Sequence, residues 1–121
     1  MEFSLDDCRS HLLSLPQATE SSPFGPETLV YKVAGKMFAT LGFREQQGRM
    51  NLKCNPDWAL ELREQYEAVI PGYHMNKKHW NTLSLDHSLP PPLITELINH
   101  SYRLVVQGLP VKVRKQIEPS T

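Results

Sequence analysis

The stretch from Leu29 to Cys54 constrains the fold most. It reads LVYKVA, then Gly35-Lys36, then MFATLGF, a looser REQQGR turn, and MNLKC. Short apolar runs rich in β-branched and aromatic residues, broken by glycine-containing turns, are hairpin signals. The expected product is an antiparallel meander of three strands. Strict alternation places Met37, Ala39 and Leu41 on one face, with Lys36, Phe38 and Thr40 on the other. It also turns Met50, Leu52 and Cys54 inward and Asn51 and Lys53 outward. Such a sheet needs a cover for its apolar side, and the flanking sequence supplies helices.

Residues 3–15 have Leu5, Cys8, Leu12 and Leu15 at helical spacing, with Ser4 as cap and Asp6 and Asp7 in the first turn. Asn55-Pro56-Asp57 opens a second helix through about Tyr66. The longest helix is expected over 93–109, stopped by Gly108 and Pro110, and a short one over 111–117. Residues 80–86 alternate as a further strand, with Trp80, Thr82 and Ser84 opposite Asn81 and Leu83. The segment 19–28, with two prolines and a glycine, reads as turn, and Phe24 is expected to plug the core from it. Residues 1–117 form one expected α+β domain, an antiparallel sheet packed on helices, and 118–121 a frayed tail.

Composition narrows the function classes. The 13 basic and 13 acidic residues cancel, which disfavours a strong non-specific nucleic-acid binder. The charge is nevertheless uneven. Residues 28–54 carry Lys32, Lys36, Arg44, Arg49 and Lys53 against Glu45 alone, whereas 1–27 carry five acids against Arg9. Cys8 and Cys54 are expected as reduced, buried thiols. The acidic N-terminus lacks a leader's basic region, and no apolar run approaches the roughly 18 residues of a membrane span. A cytoplasmic monomer without a membrane is therefore expected.

The most unusual segment is GYHMNKKHWNT (72–82), which has two lysines, two histidines and two asparagines beside Tyr73 and Trp80 and no acid. Its functional reading is a donor-rich loop facing an anion, with His74, Asn76, Lys77, Lys78, His79 and Trp80 in contact. Its structural reading has Asn76 and His79 satisfying backbone groups in a turn and the lysines solvated. Lys32, Lys36 and Lys53 are a second cluster, able to touch phosphates or merely to protect a sheet from aggregation. His74 and His79 match no common metal spacing, no cofactor motif is legible, and no phosphate loop or nucleophile motif argues for an enzyme.

PFGPETLVYKVAGKMFA (23–39), NLKCNP (51–56), SYRLVVQGLP (101–110) and above all PGYHMNKKHWNTLSLD (71–86) resemble the MmcQ/YjbR-like family, in order, over about residues 2–115. His74, Asn76, Lys77, His79 and Trp80 carry its most specific block. The resemblance implies a CyaY-like fold and a bacterial, DNA-binding protein of the double-wing type. DNA is thus one expected partner, and an unidentified protein or a small anion bound through the same loop is the alternative.

Overall fold

The computed structural model describes residues 4–44, 47–72 and 75–117, without the Arg44 side chain. Its elements run α1 (Leu5–Ser14), β1 (Ala18–Ser21), β2 (Thr28–Val33), β3 (Lys36–Arg44), β4 (Gln47–Lys53), α2 (Pro56–Gln65), β5 (Val69–Pro71), β6 (Trp80–Ser84), α3 (Pro91–Gln107) and α4 (Val111–Ile117). One antiparallel sheet has the strand order β1-β2-β3-β4-β6-β5. The expected meander is its centre, and β6 joins it beside β4.

The helix starts follow local chemistry. Ser4 and Asp7 form a reciprocal capping box on α1. The Asn55 side chain accepts from the backbone N–H groups of Asp57 and Trp58 at the head of α2. Helix α3 starts earlier than expected, because Pro91 and Pro92 fit a first turn whose N–H groups lack intrahelical partners anyway.

One face of the sheet is buried under helices. Helix α3 crosses β2, β3 and β4, α1 lies against β1 and α3, and α2 against β5. Tyr31, Val33, Leu41, Met50, Leu52 and Leu83 meet Leu12, Ile94, Leu97, Ile98 and Val106 there. Each such side chain, fully buried, contributes about 1.5–3 kcal/mol. Cys8 and Cys54 are free and buried in the same core. No helix among the described residues is long and apolar enough to cross a membrane.

The first hairpin departs from strict alternation. Tyr31 pairs with Ala39 but Lys32 pairs with Met37, so Phe38 is the extra residue of a β-bulge. The bulge turns Phe38 into the core, where its ring meets Tyr102 edge-on at 5.3 Å between centroids. Met37 is left beside Thr40 on the opposite face. This reverses the sides expected for Met37 and Phe38. Ser101 on α3 fixes the bulge: its hydroxyl donates to Phe38 O at 2.6 Å and accepts from Lys53 N–H at 2.9 Å.

The two outer strands were not anticipated. Strand β1 is four residues of alternating exposure and overlaps the start of the segment read as turn. Strand β5 has only three residues. A two-layer clamp holds β1 in place: Arg9 of α1 donates two hydrogen bonds to Glu20, at 2.7 and 2.9 Å, and Tyr31 donates a third to the same carboxylate at 2.6 Å. These donors hold the Glu20 carboxyl below its ordinary range, Arg9 foremost.

Candidate functional site: the helix-free face of the sheet

Among the described residues, no helix packs on the other face of the sheet. Strand pairing lines up Val30, Thr40, Asn51, Thr82 and Ile70 across five strands on that side. Two loops lean over it, and a glycine permits each approach. A Cβ on Gly42 would lie 2.7 Å from Glu27 O, so only glycine lets the 22–27 loop come so close. A Cβ on Gly72 would lie 2.8 Å from the Trp80 Cβ and 2.9 Å from the Met75 Cβ, so the second loop depends on Gly72 in the same way. Between loops and strands lies a cavity of about 470 Å³, with Phe24, Met37, Phe43 and Met75 among its apolar walls and Thr40, Arg49, Asn51 and Thr82 among its polar ones.

The polar wall is a directed chain. Thr82 donates to Asn51 Oδ1 in a short hydrogen bond, and Asn51 Nδ2 donates to Thr40 Oγ1 at 2.9 Å. Beside it, Arg49 Nε is buried with no hydrogen-bond partner among the described residues. The apolar wall is unusually open, with Phe24 77% and Phe43 56% exposed. Phe24 therefore does not plug the core as expected: it stands over the cavity on the helix-free side.

The lysines expected to contact phosphate lie at the end of the sheet marked by the β2–β3 turn. Lys32 is exposed near the end of β2, Lys36 opens β3, and Lys53 closes β4 opposite Trp80. The 75–79 segment enters β6 at the same end. Lys53 and Lys36 also border a smaller hollow with Leu104 and Leu109.

Within the loop, several side chains work internally. Asn76 Oδ1 accepts from the N–H groups of Lys78 and His79 at 2.9 and 3.3 Å. Lys77 Nζ donates to Gly72 O at 2.9 Å. Arg63 of α2 ties the loop down, donating to Asn81 Oδ1 at 2.7 Å, to Trp80 O at 3.3 Å and to Lys77 O. Lys78 is exposed, and His79 and Trp80 are partly buried. His74, expected in the same contact set, lies outside the described residues, as does the 118–121 tail. Cys54 and His79 are joined through the backbone, Cys54 N–H donating to His79 O at 2.8 Å. Burial pushes the Cys54 thiol up to about 11, so it carries little thiolate at neutral pH.

Sequence reasoning missed Arg49 as a site residue, and with it Thr40, Asn51 and Thr82. The available signal was their shared outward position on neighbouring strands. What could not be read was the pair of loops that turns an open sheet face into a cavity.

A family model described as YjbR matches residues 13–104. The uncharacterized protein YbdF of Escherichia coli O157:H7 is 38% identical over 88% of this chain and 88% of its own length. The uncharacterized protein YjbR of Escherichia coli strain K12 is 33% identical over 93% of this chain and 96% of its own. A crystal structure of a Deinococcus radiodurans protein, described as carrying domain DUF419, superposes with a TM-score of 0.88 at 39% identity, covering 95% of this chain and 88% of that one. Shared sequence along most of the length and a shared fold agree: the chain belongs to the YjbR family.

Proposed function

We propose that this protein is a binding domain that seats a small organic anion on the helix-free face of its sheet. The observation that carries this reading is Arg49, which lines the cavity and whose Nε is buried without an acceptor among the described residues. An unpaired buried donor costs about 1–3 kcal/mol, more when charged, and folded proteins rarely keep one unless something completes it. A cavity of about 470 Å³ falls within the range of small-molecule sites. This keeps the small-anion expectation but moves its centre from the 74–81 loop to the strands beneath.

The test is titration of the full chain with acetate, benzoate and inorganic phosphate, followed by amide and side-chain NMR shifts. Saturable shifts at Thr40, Asn51 and Thr82 with at least one anion are expected. They should vanish in Arg49→Gln and survive Lys77→Ala with Lys78→Ala. Failure of all three anions to saturate, or equal binding by Arg49→Gln, removes the reading.

A second reading, contact with DNA phosphates, is favoured by the gathering of Lys32, Lys36, Lys53 and Lys78 toward one end of the sheet. About three phosphate contacts give a log–log salt slope near about −3. Fluorescence anisotropy with a duplex at two salt concentrations measures it. Absence of saturable binding at low salt eliminates this reading.

A further inference from the structure

The chemistry of the cavity wall narrows the ligand, on the condition that the wall is an anion site as proposed above. Asn51 and Thr82 are committed to one another, and Asn51 spends an amide hydrogen on Thr40. The chain runs one way, from Thr82 through Asn51 to Thr40, and its last hydrogen is on the Thr40 hydroxyl. Among the described residues that hydroxyl donates to no protein acceptor, and no acidic residue lines the cavity. The wall therefore presents donors, one hydroxyl and one guanidinium, to whatever enters. A matching head group accepts and does not donate. Two donor groups suit the two oxygens of a carboxylate, since a guanidinium and a hydroxyl can each serve one of them. A phosphate brings three acceptor oxygens and up to two charges, and one arginine leaves it under-satisfied.

The opposite side of the cavity is apolar and adaptable. Phe24 and Phe43 expose large ring surfaces, and the unbranched side chains of Met37 and Met75 fill the space beside them. Flat apolar groups stack favourably on such rings. We infer that the ligand is an aromatic or similarly flat monocarboxylate, its carboxylate held by Arg49 and Thr40 and its body covered by Phe24 and Phe43.

The experiment is isothermal titration of the full chain with four probes: 2-naphthoate, 2-naphthamide, 2-naphthyl phosphate and acetate. Naphthoate should bind one to one and tightest. Losing the charge-assisted contacts should make naphthamide roughly tenfold weaker or worse. Thr40→Val keeps the shape and removes the hydroxyl, and should weaken naphthoate by about tenfold. Phe24→Ala, at an exposed loop position, should weaken naphthoate while leaving acetate unchanged. Circular dichroism spectra of both variants should match the parent, which separates lost contacts from lost fold. The melt of Phe24→Ala should match too, whereas Thr40→Val, which also takes the acceptor from the Asn51 amide, should melt somewhat lower. Tighter binding of naphthyl phosphate, or naphthamide binding as well as naphthoate, overturns the carboxylate assignment and leaves the anion reading intact. Absence of any anion binding that depends on Arg49 defeats both.

Discussion

Ala34 holds a left-handed backbone, φ 50°, immediately before Gly35 at φ 78°, and together they close the turn between β2 and β3. Two consecutive positive φ values make the turn compatible with the right-handed twist of a hairpin, and asparagine followed by glycine is the preferred pair for it. A Cβ at the first position costs roughly 1 kcal/mol that asparagine partly recovers through its local hydrogen bonds. Ala34→Asn should therefore stabilise the protein by about 0.5–1 kcal/mol, read as a raised urea midpoint at unchanged slope.

A second residue-level consequence concerns His100. Its Nε2 accepts from Asn55 N–H at 3.1 Å, and its ring meets Trp58 edge-on at 4.7 Å between centroids. An accepting nitrogen must be unprotonated. Burial first, then the charge of Arg103, lowers its pKa below the ordinary 6.5. The unfolded chain thus takes up this proton more readily than the folded one. The stabilisation is complete above about pH 6.5 and falls as pH drops through that value toward the depressed native pKa. Urea unfolding at pH 7.5, 6.5 and 5.5 should show stability declining toward acid, with a shallower decline in His100→Asn. Parallel declines in the two proteins would show that His100 contributes nothing to the effect.

Among the elements, the bulge in β3 makes the sharpest prediction. Strict alternation would put Met37 in the core and Phe38 outside, and the structure does the reverse. Phe38→Ala should cost about 3–5 kcal/mol by opening a cavity against Tyr102. Met37→Ala should cost under roughly 1 kcal/mol, as befits a residue outside the main core. Denaturant melts of the two variants decide the matter, and equal losses would mean that no bulge is present. The bulge also marks where sequence stopped being legible. A two-residue period fixes faces only while the register is unbroken, and the hydroxyl that holds the extra residue comes from Ser101, far along the chain. The helices were legible because their caps are local: Ser4, Asn55 and Gly108 act within a turn of where they stand. Strand β1 was not, because Ala18-Thr19-Glu20-Ser21 has no apolar stripe and is held by Arg9 and Tyr31 from other elements.

For the molecule as a whole, the division of labour between faces organises everything else. One face of the sheet is spent on stability under α1, α2 and α3, and the other borders the cavity. Asn51 was expected to face away from the core and Thr82 to lie opposite Leu83, yet alternation says nothing of what converges on them. The cavity exists because two loops distant in sequence fold over the same strands, each allowed by one glycine. The loop richest in donors turned out to spend much of that capacity on itself, Asn76 on its own turn and Lys77 on Gly72. A concentration of polar residues in sequence therefore marks, at Asn76 and Lys77, side chains that hold their own loop together.

The margins of the sheet limit how this protein can meet others. On one side the terminal strand is three residues long and closes at Pro71, which has no N–H to offer; on the other it is a short run pinned by a carboxylate clamp. A foreign extended peptide finds almost no ladder to continue along either border. Partners must therefore be engaged broadside, by side chains, and runaway stacking of copies edge to edge is discouraged by the same economy of backbone.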